Sequence, residues 1–294
     1  MCKKKISLGK AEYSKAMKAL ETTVWQWQPD HLLAAHYFEN SGNAYASAEE
    51  FEFARQMYIK AYESHIKAKC ESSGADALKR AAIMAANQGN RTIAAQHYRE
   101  VADIWSGLGE IEKIGDYLMK AAQEMNNVPN KDDETIELQA LASERLCAMD
   151  TPKDKIKESP ILILEAYRFY FQLLVNRYVK NNDMNIQNPL FGVAKFMCNM
   201  YDVFGLESSC CKMMLSITIL QLHLGDIILA EQTMLNEHFS NKDYLKSKEC
   251  EVAEEMIQSF KLSDIDRLES AQHMVQLNYL DYPQIIKLAK NLSF

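Results

Sequence analysis

The sequence predicts an all-α protein made of stacked antiparallel helical hairpins. Three observations carry this. Glycine occurs only 10 times and proline 6 times in 294 residues, below ordinary usage, and β folds consume both in their turns. Apolar residues recur at helical spacing almost without interruption. The polar breaks between these runs are short. At 48% apolar and 25% charged residues, the composition is that of a globular chain.

The elements follow in order. A first helix ends near residue 20 and a loop, 22–28, joins it to the second. The clearest pair is 30–47 and 49–69. Leu33, Phe38, Gly42 and Tyr45 share helical spacing in the first, and Phe53, Ala54, Met57, Tyr58 and Ala61 in the second. Asp30 after Pro29 is placed to cap the first of these helices. A second pair is expected at 73–88 and 90–106, with Ala82, Ala85, Ala94 and Tyr98 in corresponding places. A third is expected at 109–126 and 133–149. The polar connector 151–159 precedes a strong helix from Pro160 to about Val179. Helices at 190–204, 206–224 and 226–238 follow, then shorter ones at 243–260, 264–279 and 283–292.

Gly42, Tyr45, Ala54, Tyr58 and Ala61 match the small and aromatic spacing of a tetratricopeptide repeat. Small residues let the paired helices approach, and the aromatics fill the space against the next repeat. The expected architecture is therefore TPR-like. About fourteen helices form a curved, twisted rod, with a hairpin array over 1–240 and a C-terminal helical cap over 241–294. An irregular α-bundle is the structural alternative.

The chain carries no phosphate-cradling G-x-x-x-x-G-K-[ST] loop and no H-E-x-x-H. His31 and His36 are five apart and do not converge on a helix face. Ser64 and Lys67 form an S-x-x-K of the kind that arises by chance. The seven cysteines show no metal spacing, and Cys210–Cys211 sit in an apolar run that reads as core. No catalytic residue, metal or cofactor is expected. No apolar run is long enough to span a bilayer, and the basic start lacks an apolar stretch behind it. These features predict a reduced, cytoplasmic protein that is not an enzyme.

The net charge of −7 is unevenly spread. Residues 1–20 carry six lysines against one acid, and 55–99 carry eight bases against three acids. Residues 226–281 carry twelve acids against five bases. A basic front and an acidic rear suit two partners of opposite charge, although solvated helix faces can drift apart in the same way. The acidic total, with no interleaved aromatic and basic residues, argues against nucleic acid.

Trp27-Gln28-Pro29-Asp30, followed by AAHYFENSGNAYASAEEFEFARQMYIKAYESH, resembles the soluble NSF attachment proteins, the gamma type more than the alpha. The resemblance returns at 209–238, at Glu249-Cys250 and at the terminal LDYPQIIKLAKNL, in matching order. It implies an adaptor that binds assembled SNARE four-helix bundles on membranes. The adaptor recruits the hexameric ATPase NSF to pull the bundles apart in vesicle transport. It also implies a cytoplasmic, peripheral membrane protein, monomeric when free. A TPR-like scaffold subunit of another complex is the alternative.

The resemblance also assigns roles. Val24, Trp25 and Trp27 lie where the alpha type carries a loop that touches the bilayer. Tryptophan favours the headgroup interface and the nearby lysines favour anionic lipid. Trp27 also matches the family's W-x-P-D, which favours packing for that residue. The SNARE bundle surface is acidic, so Lys60, Lys67, Lys69, Lys79, Arg80 and Arg91 are its candidate contacts. NSF recruitment falls to Glu251, Glu254, Glu255, Asp264 and Asp266, with Leu292 as counterpart of a stimulatory leucine near the terminus. The alpha-type acids themselves correspond to places nearer Gln258 and Lys261.

Overall fold

The computed structural model describes residues 2–22, 27–152, 160–181 and 184–294. Among them the only regular structure is helical, with fourteen α-helices and short 3-10 turns, as an all-α fold requires. They fall into two compact units, Met1–Leu146 and Cys147–Phe294.

The first unit holds α1 (Cys2–Leu20), α2 (His31–Ser47), α3 (Phe51–Lys67), α4 (Glu71–Asn87), α5 (Arg91–Gly107), α6 (Ile111–Met125) and α7 (Asp132–Leu146). Each packs on its sequence neighbours. From α2 to α6 the helices start twenty residues apart, and α2 to α5 are each 17 residues long. Three-residue turns join them. The middle turn residue takes a left-handed conformation: Glu49 at φ 61°, Lys69 at 60°, Gly89 at 81° and Gly109 at 76°. The next amide then reaches back to a carbonyl five residues earlier, as in Glu50 N to Tyr45 O at 3.0 Å and Cys70 N to His65 O at 2.9 Å. This Schellman closure satisfies the end of one helix and reverses the chain into the next.

Alanine makes the stack close-packed. Ala34, Ala35, Ala54, Ala61, Ala81, Ala82, Ala94 and Ala95 have no exposed surface. The Ser41 hydroxyl donates to the carbonyl of Gly9 at 2.7 Å, pinning α2 to α1. Tyr45 stacks on Phe53 with ring centroids 5.5 Å apart, inside the α2–α3 hairpin rather than against the next repeat. Asp30 caps α2 by accepting from Leu33 N at 2.9 Å.

The second unit is built differently. It holds α8 (Pro160–Asn181), α9 (Gln187–Val203), α10 (Glu207–His223), α11 (Ile227–Asn236), α12 (Lys248–Leu262), α13 (Ile265–Gln272) and α14 (Pro283–Lys290). Its interior is filled by large side chains, among them Tyr167, Phe171, Tyr178, Met197, Met200, Tyr201 and Tyr244. α10 is its axis: every residue from Met213 to Leu222 is buried, and α9, α11, α12 and α14 all pack on it. A helix buried on all sides needs no polar face, which explains why this stretch is apolar all round apart from Ser216, Thr218 and Gln221. The division expected at 240/241 falls inside this unit, because α12 and α14 share their core with α10.

Two helix expectations shift. The helix expected from 243 starts at Lys248, where the Ser247 hydroxyl accepts from Cys250 N at 3.1 Å. The helix expected over 264–279 stops at Gln272 and yields to a 3-10 turn, Val275–Tyr279, after Met274 turns extended at ψ 133°.

Candidate functional site

The basic candidates all lie in the first unit, but not as one compact cluster. Lys67 ends α3 and Lys69 occupies the α3–α4 turn, whereas Arg91 starts α5 at the other end of α4. The 17 residues of α4 separate those two turns by about 25 Å. Lys79 and Arg80 lie midway along α4, and Lys60 midway along α3.

Their electrostatic state differs as well. Lys79 is held by Asp76 at 2.8 Å, and that hydrogen bond raises the pKa of its ammonium group. Arg91 bridges α5 to α6 through Glu124 at 2.7 Å. Arg80 lies 3.8 Å from Glu39 and 6.0 Å from the centre of the Tyr58 ring. Glu39 also binds His65 Nε2 at 2.9 Å, so this network joins α2, α3 and α4. Lys60 lays its ammonium 6.0 Å from the Phe38 ring centre. Lys67 and Lys69 are exposed and have no ion pair among the described residues. Among the described residues Lys60 likewise has no carboxylate partner, so Lys67 and Lys69 are the exposed ones of three basic candidates left without an ion pair. The S-x-x-K serine is structural: the Ser64 hydroxyl donates to the carbonyl of Lys60 at 2.8 Å.

Val24 and Trp25 lie outside the described residues. Trp27 is 85% exposed, against the expectation that it packs. The helix after it starts only at His31, and Pro29 favours an extended chain before it. Leu32 and Leu33, at 56% and 42% exposed, continue the apolar surface into α2.

The acidic candidates divide too. Glu251 and Glu254 are exposed on α12, Glu251 with Lys248 at 2.7 Å. Glu255 is gripped by the Arg267 fork at 2.6 and 3.0 Å, which lowers its carboxyl pKa. Asp264 caps α13, accepting from Arg267 N at 3.0 Å. Asp266 is exposed.

Leu292 must be corrected as a presented side chain. It is 6% exposed, and its carbonyl accepts from Gln272 Nε2 at 2.9 Å. Leu292 lies just past α14, and a leucine buried there stabilises the end of the unit by burial rather than by being presented to a partner. What the sequence reading missed is the exposed pair Leu262 and Ile265, 63% and 62% exposed, on either side of the acidic α12–α13 turn. Ser263 at φ 52° makes that turn.

Among the described residues no helix is long and apolar enough to cross a membrane, and no group of three or more His, Cys, Asp or Glu is placed to hold a metal. No protein-family model matches the chain. The chain is 26% identical over 282 residues to the gamma-soluble NSF attachment protein of Arabidopsis thaliana, covering 95% of this chain and 89% of that one. It is 23% identical over 280 residues to the gamma-soluble NSF attachment protein of Dictyostelium discoideum, covering 94% and 79%. The resemblance read from short segments thus extends along nearly the whole chain, and it supports membership of the soluble NSF attachment protein family, with gamma-type relatives.

Proposed function

We propose that the protein is an adaptor that binds SNARE four-helix bundles at membranes and recruits the NSF ATPase to disassemble them. The observation that carries this reading is the similarity to gamma-soluble NSF attachment proteins over about 95% of the chain. A hairpin stack offers extended helical surface for such partners. Lys67 and Lys69, with Lys60, Lys79, Arg80 and Arg91 in support, are the proposed contacts for the acidic bundle. Exposed charge contacts contribute roughly 0.2–1 kcal/mol each, so the contact rests on several acting together. Trp27, with Val24 and Trp25, is proposed to touch the bilayer. Glu251, Glu254 and Asp266, flanked by Leu262 and Ile265, are the proposed NSF-facing surface.

The test is a pull-down with purified NSF and assembled SNARE bundle, each alone and together, at low and physiological salt. The adaptor reading expects bundle binding that weakens with salt, and NSF retention only when the bundle is present. Absence of both at either salt would leave a helical scaffold of another complex.

A further inference from the structure

The second unit contains a cleft of about 940 Å³ that the adaptor reading does not use. It is framed by α9, α10, α11 and residues 238–243. Its length comes from one stripe of α9, Asn188 to Asp202. At 1.5 Å per residue that stripe is about 21 Å long. Its floor is apolar where Met214 and Ile217 of α10 line it. Lys195 and Glu237 pair at 2.9 Å, joining α9 to the end of α11.

The walls are unusual in carrying carboxamides: Asn188, Asn199, Gln221 and Asn241. Two are engaged within the fold. Asn241 Oδ1 accepts from the amides of Asp243 and Tyr244 at 2.9 and 3.0 Å, and Gln221 Nε2 donates to Thr233 Oγ1 at 2.9 Å. The others, Asn188 and Asn199, have no hydrogen-bond partner among the described residues. The wall also holds two deeply buried polar groups that the fold leaves unmatched. Gln221 and His238 are each 4% exposed, and neither Gln221 Oε1 nor His238 Nδ1 has a hydrogen-bond partner among the described residues. Buried polar atoms are nearly always satisfied, so an unmatched pair beside a cleft points to a polar occupant.

We propose that this cleft binds an extended peptide segment of a partner protein, about six residues long and without net charge. A carboxamide offers one acceptor and two donors, the same complement a peptide group needs. An extended segment has its main-chain N–H and C=O groups free to meet it, whereas a helix has already satisfied its own. An extended chain at about 3.3 Å per residue fills the 21 Å stripe with about six residues. Alternate side chains then reach the Met214 and Ile217 floor. Lys195 and Lys242 nearly balance Asp202, Glu237 and Asp243, which disfavours a strongly charged occupant. The volume is within the ordinary range of ligand clefts.

The probe is a phage-displayed heptapeptide library, selected against the full chain. The recovered peptide is then synthesised with a fluorescent label and titrated by anisotropy. Binding should weaken at least tenfold in Asn188→Ala/Asn199→Ala. The shape-conserving Asn199→Asp, which removes both donors of that amide, should weaken it too. Circular dichroism of each variant should match wild type, because both sites lie on the surface of α9, and the bound peptide should show no helical signal. Peptides that bind both variants like wild type, that become helical on binding, or that fail to bind in solution would overturn the proposal. None of these outcomes depends on SNARE or NSF binding.

Discussion

A Cβ on Gly42 would lie 2.8 Å from Cε1 of Tyr58, so α2 and α3 meet where one helix has no side chain and the other has a ring. The ring is 3% exposed, its hydroxyl donates to Asn43 Oδ1 at 2.7 Å, and Arg80 lies against it. It has nowhere to swing. Gly42→Ala should therefore lower the stability of the first unit by about 1–3 kcal/mol through overpacking, despite alanine's better helix propensity. Gly107→Ala, with nothing within 4 Å of its Cβ position, should be neutral or stabilising. Tryptophan fluorescence in urea reads this cleanly, since Trp25, Trp27 and Trp105 all belong to the first unit. Equal midpoints for the two variants would show that the ring gives way.

The left-handed turn residue Lys69 supplies a second prediction. An L side chain at φ 60° is strained relative to glycine, though glycine also adds freedom to the unfolded chain. Lys69→Gly should raise stability by about 0.5–1 kcal/mol, and Lys69→Val should lower it. The same urea titration separates the two. Because Lys69→Gly removes a proposed bundle contact while stabilising the fold, weaker bundle binding in this variant cannot be blamed on unfolding.

Periodicity made the helices legible, and helix spacing in the first unit was legible in its alanines and glycines. The turns were readable where glycine marks them, at Gly89, Gly109, Gly205 and Gly225. Helix breaks were also legible near Glu49, Lys69 and Ser263, but the left-handed geometry there was not readable, because it is imposed on residues that do not ask for it. The second unit escaped the repeat pattern because its helices pack on tyrosine, phenylalanine and methionine, which carry no fixed spacing. The candidate sites were least legible. Exposed and paired lysines look alike in sequence, and the carboxylates that engage Arg80 and Arg91 come from α2 and α6, 41 and 33 residues away.

His238 predicts acid sensitivity in the second unit. Burial lowers its pKa from 6.5 to about 4; Glu237 opposes this and Lys195 adds to it. Above pH 6.5 the ring is neutral in both states and nothing is lost. As pH falls from 6.5 toward 4, the unfolded chain takes up a proton that the folded chain refuses. Stability then drops by up to about 3 kcal/mol and levels off below that range. His238→Phe keeps an aromatic ring against Tyr244, now 5.4 Å from the imidazole, and should flatten this slope. Urea unfolding followed by hydrogen exchange at α10 and α11 amides, from pH 7 to 4, checks it. A variant with the wild-type slope would place the sensitivity in another group.

On the adaptor reading, the acids of α12 should not act alike, and Glu255 is the reason. Its carboxylate sits in the Arg267 fork and couples α12 to α13, so a lysine there would set two cations together and loosen the end of the unit. Charge reversal of all three glutamates would then confuse docking with stability. Glu251 and Glu254 stand on the exposed face of the same helix, while Val252, Ala253, Met256 and Ile257 are buried beneath it. Reversing them leaves that core and the Arg267 fork untouched. Glu251→Lys/Glu254→Lys should therefore bind SNARE bundle like wild type and slow NSF-driven disassembly several-fold at saturating adaptor. Rising salt should narrow the gap, because exposed charges are screened over about 8 Å at physiological ionic strength. Glu255→Gln should leave the disassembly rate unchanged and lower thermal stability instead. Disassembly at the wild-type rate in the double variant, with its helical spectrum intact, would remove α12 from the docking surface and leave Leu262, Ile265 and Asp266 of the neighbouring turn to carry it.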